Sequence, residues 1–454
     1  MSAVISADAP EVTRILARHV VEARFETIPP RTRHEATRTF VNWLGCAIGG
    51  SHHEGMDIAL AALSPMAGQA QATVLGRTER LDILHTALLN GISSHMFDFD
   101  DTHLKTVIHP AGPVCSAILA LAEYRPVSGA DFLHALILGV EVECRIGNSV
   151  YPNHYDTGWH ITGTAGVFGA AAACGKLLGL NEQQMVWALG IAATQSSGLR
   201  EMFGTMCKPF HPGNAAKNGL LAALLAEKNF TSSNRGIEAP RGFAHVLSTK
   251  FDAAEITEGL GETFEIDLNT YKPFACGIVI HPIIDACVQL RNEHKLTGSQ
   301  IVAITARVHP LVLELTGKKT PQTGLEGKFS VYHSAAAGIL YGAAGEREYS
   351  DAVVRDPGVI ALRDRVTAVI DSTMHEDQTL VEVRLEDGRV LSKRIENAIG
   401  SLARPQSDTD LEAKFRGLAL EVLPQAQVDH ILGLAWKVGE LPDAGSVARA
   451  SLQA

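Results

Sequence analysis

Apolar positions dominate the first 260 residues, and they predict helix after helix. Helical stretches are expected around 34–49, 57–66, 81–96, 114–124, 130–149, 163–178, 182–195 and 213–228. Most are apolar on more than one side and rich in Ala and Gly, as in VFGAAAACGKLLGL and LLAALLAEKNF. A helix that is apolar all round belongs inside a bundle, and small side chains let backbones approach closely. At the start, Asp8-Ala-Pro-Glu11 reads as a capping box with proline in the first turn. The texture changes after about residue 265. IVAITARVHP (301–310) is β-branched and predicts a strand, and LVEVRLEDGRVLSKRI (380–395) alternates about Asp387-Gly388, a hairpin signal. Helix is expected between them at 329–345 and 349–371, and again from about 405 in DTDLEAKFRGLALEVL. The fold class this predicts is mainly α: a large all-helical domain (1–265 plus 405–454) with a smaller inserted α+β lid domain (266–404).

Composition narrows the classes. With 46% hydrophobic and 20% charged residues the 454-residue chain is globular and long enough for two or three cores. A formal net charge of -11 offers no basic sheath for a phosphate backbone, so no nucleic-acid partner is expected. An anionic substrate would then need a local basic pocket, which makes the placement of individual lysines matter. The seven cysteines include no CxxC pair, which suggests neither a disulfide framework nor a zinc knuckle. The first residues lack a charged segment followed by an apolar run, and no apolar run is long enough to span a bilayer; a cytoplasmic protein with no membrane partner is the expectation.

Against this small-residue background, HMFDFDDTHLKTVIHPAG (95–112) concentrates His95, His103, His109, Asp98, Asp100, Asp101 and Lys105. If the helix from Leu81 ran on to residue 102, His95, Asp98 and Thr102 would share one face. The ordinary alternative is a solvated helix end, and a metal-dependent hydrolase built on Asp98, Asp101, His103 and His109 is a third reading. That third reading is weakened by ligand spacing, since no His pair stands four apart.

Four further stretches carry ionisable groups. In YDTGWHITGTAGVFG, His160 directly precedes a helix start. In GLREMFGTMCKPFHPGNAAKNG, Lys208 and His211 precede one expected near Asn214. Helix N-termini offer free N–H groups and suit a carboxylate, although each histidine alone is more simply read as satisfying a turn carbonyl. NTYKPFACGIVIHPIIDAC holds Lys272, Cys276 and His281, with Cys276 read as packing rather than nucleophile. GKKTPQTGLEGKFSVYHSAA holds Lys318, Lys319 and Lys328, either a solvated loop or a basic lip over an anion.

Together these motifs resemble the MmgE/PrpD family, over about residues 10 to 440. That family includes 2-methylcitrate dehydratases, cis-aconitate decarboxylases and an iminodisuccinate epimerase. The resemblance implies a helical domain with an α/β lid, a homodimer, a small anionic polycarboxylate substrate, no metal and no organic cofactor. By motif position it implies active-site roles for Asp98, Thr102, His109, His160, Lys208 and Lys272. In the decarboxylase pattern a histidine stands five residues after the lysine matching Lys272. Here that position is Gly277, the next histidine is His281, and one loop residue is added between Thr102 and His109.

The shared chemistry of such enzymes passes through a carbanion-like species next to a carboxylate. It needs a base, an acid and cations on the carboxylate. His109 and His160 are the candidate base and acid, with Asp98 orienting or tuning a histidine. Lys208 and Lys272 are expected to bind carboxylates with His211 nearby, Thr102 to hydrogen-bond a substrate oxygen, and Lys318 and Lys319 to form the lip. A hydro-lyase of the 2-methylcitrate dehydratase kind is the first expectation; epimerase and decarboxylase are the alternatives, and a non-catalytic helical scaffold is a distant one.

Overall fold

The structure, a computed structural model, describes residues 11–453, so the capping box read at residues 8–11 lies outside them except for Glu11. The fold is mainly α, with a smaller α+β region. Helices Ala111–Tyr124, Gly129–Val150, Ile161–Leu177 and Cys207–Glu227 are buried along most of their length, as their uninterrupted apolar texture requires.

Glycine lets these helices meet. A Cβ on Gly213 would lie 2.3 Å from the Leu88 carbonyl oxygen, and one on Gly91 would lie 2.5 Å from Gly213 Cα. Helix Ile83–His95 therefore touches helix Cys207–Glu227 backbone to backbone, which brings the ends bearing His95 and Lys208 together. Gly213→Ala should lower stability by about 1–3 kcal/mol, the usual range for overpacking. Thermal unfolding measures it; an unchanged midpoint would show that the contact yields without cost.

A four-stranded sheet has the order β2-β1-β3-β4, with β1 at Ile301–Val308, β2 at Val366–Ile370, β3 at Thr379–Leu385 and β4 at Val390–Ile395. The hairpin expected at 380–395 forms around Gly388, whose φ of 88° needs a glycine. The helix expected at 349–371 does not run through. It breaks into short helices, and VTAVI at its end becomes β2, parallel to β1. Pairing with a strand some sixty residues earlier outweighs the local helical pattern, and β-branched side chains suit the pleat. Helices His281–His294 and Val331–Tyr341 pack with this sheet around one buried core. The tail helices Asp408–Ala419 and Gln425–Trp436 return to helix Pro30–Gly50, where Phe415, Leu423 and Ile431 share a core with Phe40 and Trp43. Among the described residues no helix is long and apolar enough to cross a membrane.

Candidate active site

The site is organised by the loop that follows helix Ile83–His95. The helix does not continue to residue 102, as one reading of the sequence supposed. It ends at His95, and Asp98 turns the chain with a φ of 50°, a left-handed conformation that aspartate tolerates better than most residues. Residues Asp101–His103 then form a strand antiparallel to Asn269–Tyr271, with Thr102 opposite Thr270. That pairing places Lys272 beside the Asp98 loop.

Four lysines converge on three consecutive residues. Lys328 donates to the Phe97 carbonyl at 2.8 Å, and Lys414 donates to the Phe99 carbonyl at 2.5 Å. Between them, Asp98 Oδ1 accepts from Lys208 Nζ at 2.8 Å and from Lys272 Nζ at 2.6 Å. Burial pushes the Asp98 carboxyl upward in pKa, but Lys208 and Lys272 outweigh it and hold the group well below the usual range. Burial also lowers the Lys208 pKa, while Asp98 opposes that fall. Lys208 spends one donor on Asp98, and Lys272 spends two counting the Asp98 carbonyl at 3.0 Å. An ammonium has three donors, so N–H groups remain for an incoming carboxylate.

Lys208 and His211 do not precede a helix opening near Asn214; they lie within helix Cys207–Glu227, which passes through Pro212. The first turn of a helix has no use for its N–H groups, so Pro209 is harmless there and only Pro212 forfeits a bond. His160 is the N-cap of helix Ile161–Leu177, as the sequence indicates. Its Nδ1 lies 2.8 Å from His211 Nδ1, so His211 stands behind His160, and the two rings share one proton. Burial, reinforced by Lys208, drives the His160 pKa well below the ordinary imidazole value, and burial takes His211 to about 4.

His109 sits just before helix Ala111–Tyr124. Its Nδ1 is 2.7 Å from the Asp101 carbonyl oxygen. A carbonyl can only accept, so Nδ1 carries the proton and Nε2 keeps its lone pair. Burial holds the His109 pKa well below its usual value, so the ring is neutral at neutral pH. Thr102, expected to reach substrate, places its hydroxyl 3.4 Å from His109 Nδ1 and is fully buried behind that ring.

Asp98, His109, His160, Lys208, Lys272 and Gly277 line one chamber of about 40 Å³, closed by Phe203, Leu315 and Phe329 among others. Lys318 lies on an outer cavity of about 700 Å³ that shares those three apolar residues with the chamber. Lys318 also pairs with Glu326 at 3.0 Å, whereas Lys319 rests over the Tyr332 ring. Lys328 belongs to no lip: it is 1% exposed and also bound to Glu346 at 2.5 Å. Lys318→Ala should raise KM by no more than about fivefold, the range of an exposed charge, with the loss shrinking in salt. Lys319→Ala should do less. Steady-state kinetics at two ionic strengths separates them; a kcat loss at either would remove them from the lip.

The quartet considered for a metal hydrolase does not assemble. His103 is bound to Glu265 at 2.8 Å and to Thr106 at 3.1 Å. Asp101 accepts from the Ala111 N–H and from Asn269, and burial, with Asp100 beside it, raises its pKa to about 7. The fold instead gathers His95, His109 and His160, and likewise His95, Asp98, Asp100 and His109, with donor atoms within 4.8 Å of one another. Such donors suit a metal ion. Lys208 and Lys272, however, already neutralise Asp98 and put positive charge where a cation would sit.

Sequence reasoning named His95, Asp100 and Lys328 without their supporting roles, and it missed Lys414. His95 donates to Asp100 at 2.7 Å, with its ring centroid 4.6 Å from that of His109. Lys328 and Lys414 pin the loop, and Lys414 also reaches the Lys272 carbonyl at 2.9 Å. The one available signal was a lysine inside the otherwise amphipathic tail helix, which does not reveal its partner. Cys276 is buried and its thiol is pushed up to about 12 by desolvation, consistent with packing.

Comparison with known proteins matches the MmgE/PrpD N-terminal domain over residues 14–256 and the MmgE/PrpD C-terminal domain over residues 274–438. Human cis-aconitate decarboxylase is 26% identical across 95% of this chain and 92% of its own length. The mouse cis-aconitate decarboxylase is 28% identical across 83% of this chain and 80% of its own. The 2-methylcitrate dehydratase of Cupriavidus necator is 23% identical across 94% of each. Both family regions are matched and together span most of the sequence: the chain belongs to the MmgE/PrpD family.

Proposed function

We propose that the chain is a lyase that moves a proton at the carbon next to a carboxylate of a small di- or tricarboxylate, with loss of water as its first reaction. The observation that carries this reading is the convergence of Lys208 and Lys272 on a buried chamber also lined by two neutral imidazoles. In the elimination, His109 Nε2 takes the α-proton and the electron pair moves onto the carboxylate held by the lysines. The β-carbon–oxygen bond then breaks, and a proton from the His160–His211 pair leaves with the hydroxyl as water. The lysines supply the positive charge that a metal gives elsewhere. Asp98 fixes them and sets their charge. The division into 1–265 plus 405–454 and 266–404 belongs to the same proposal, supported by the tail helices packing on helix Pro30–Gly50. Catalysis as a homodimer in the cytoplasm is proposed on the family resemblance.

Decarboxylation is the second reading, favoured by relatives of that name matching at 26–28% identity against 23% for the dehydratase. Gly277 on the chamber wall speaks for dehydration, since the histidine of the decarboxylase pattern is missing there. The test is incubation with hydroxy- and unsaturated polycarboxylates in deuterated water, followed by NMR and capture of released CO₂. Deuterium at the α-carbon with loss or gain of water supports the first reading. CO₂ with deuterium in the product supports the second, and no exchange with any member refutes both. Prior treatment with chelator should leave the rate unchanged; activity lost and then restored by divalent metal would refute the role given to the lysines.

A further inference from the structure

A substrate seated on Lys208 and Lys272 cannot lie within the reactive chamber alone. That chamber is narrow, about 40 Å³ against about 310 and 700 Å³ for the two cavities beside it. Some part of any dicarboxylate must pass into a neighbouring space. On one side is the outer cavity with Lys318 and Arg200. On the other is a cavity of about 310 Å³, the inner one, whose mouth carries the exposed His375, Glu376 and Asp377 and which shares Val107, Ile278 and Val279 with the chamber. Val107 holds a φ of 53°. A β-branched residue seldom adopts that conformation, and such outliers cluster at ligand sites.

The inner cavity has a definite chemistry. His281 lines it, is only 1% exposed, and its ring meets no side-chain partner, the Cys276 backbone being the one polar group that faces it. Ser401 lines it as well, and its hydroxyl is also buried and unpartnered. Unpaired buried polar atoms are uncommon and costly, and a free imidazole nitrogen and a free hydroxyl on one cavity point to a partner that arrives from outside. Burial and nearby Lys272 take the His281 pKa down to about 3, so it offers a neutral imidazole. Glu376 and Asp377 are also on the wall, and no lysine or arginine lines it among the described residues. A further carboxylate would meet two acidic groups there, with only the imidazoles of His309 and His375 to offset them.

We infer that this inner cavity is the subsite for an uncharged, hydrogen-bonding arm of the substrate, such as an amide or hydroxyl on a short chain, received by His281 and Ser401. This rests on the reading that Lys208 and Lys272 hold the substrate's carboxylates. The remaining arm selects among polycarboxylates, and a third carboxylate is disfavoured in that place.

The test uses succinate and three succinates whose 2-substituents have the same shape: carbamoylmethyl, isobutyl and carboxymethyl. Calorimetry measures their binding to the full chain. The carbamoylmethyl compound should bind about tenfold or more tighter than the carboxymethyl one, with isobutyl between, because a site with unpaired polar groups rewards the arm that pairs them. In His281→Phe the advantage of amide over isobutyl should disappear. In Ala398→Leu, which narrows the same cavity, both uncharged arms should weaken relative to succinate. Carboxymethyl binding as tightly as carbamoylmethyl would overturn the subsite, as would variants that weaken all four ligands equally. The wild-type series decides even where a variant does not fold. If succinate binds and Lys208→Ala weakens it while the arms show no preference, only the subsite falls. If succinate does not bind, the lysine anchorage fails and the subsite with it.

Discussion

Replacing His109 with glutamine lowers kcat by about 10²–10⁴-fold and leaves the fold intact, the usual yield of a positioned base. The Asp101 carbonyl that takes the Nδ1 proton lies in a strand paired with Asn269–Tyr271, so the loop keeps that anchor when the basic nitrogen is lost. The pH profile gives an independent check. Burial holds the His109 pKa well below the ordinary value. A lowered pKa means the unprotonated base persists as pH falls, so the acid limb of kcat should lie below about 6.5, the reference imidazole value. An imidazole titrating at or above 6.5 in the wild type would contradict the buried, neutral assignment. A folded His109→Gln enzyme with near-native kcat, judged by circular dichroism and steady-state kinetics, would transfer the base to another group.

Asp98→Ala and Lys208→Ala should differ in kind, although the two residues touch. Removing Asp98 leaves the ammonium groups of Lys208 and Lys272 buried without their shared counter-ion. Breaking a buried pair from one side costs about 3–5 kcal/mol, and here two partners are stranded. Asp98→Ala should therefore fold poorly or melt far below the wild type. Removing Lys208 leaves Asp98 held by Lys272 through both its carboxylate and its carbonyl, so that variant should fold. It should lose both KM and kcat, since the charge acts on the bound carboxylate and on the enediolate formed from it. Lys208→Arg should restore only part, because a planar fork does not replace a compact ammonium between Phe203 and Phe329. Chemical unfolding and kinetics on the three variants decide it: a stable Asp98→Ala protein, or an unfolded Lys208→Ala protein, would reverse the roles given to carboxylate and amine.

Much of the fold was legible because its signals are local. Unbroken Ala- and Gly-rich stretches announced buried helices, and Asp387-Gly388 within alternating residues announced the β3–β4 hairpin. His160 at a helix start was visible from the Gly/Thr run that follows it. The misreadings share one cause. Strand Val366–Ile370, the helical placement of Lys208 and His211, and the end of the helix at His95 all depend on partners distant in the sequence. A local pattern cannot weigh a pairing that it does not contain.

The available chemistry is written along the chain: imidazoles, carboxylates and lysines collected in a few small-residue stretches of an acidic protein. What each of these groups does depends on its neighbours in the fold. Of the three histidines between 95 and 109, two meet beside the chamber while His103 turns away to Glu265. Among the lysines, Lys208 and Lys272 reach Asp98 across 110 and 174 residues of chain, while Lys328 and Lys414 hold backbone carbonyls around it. The reason is electrostatic. A side chain's charge and basicity follow from its burial and from the groups within a few ångströms, and folding, not spacing along the chain, brings those groups together.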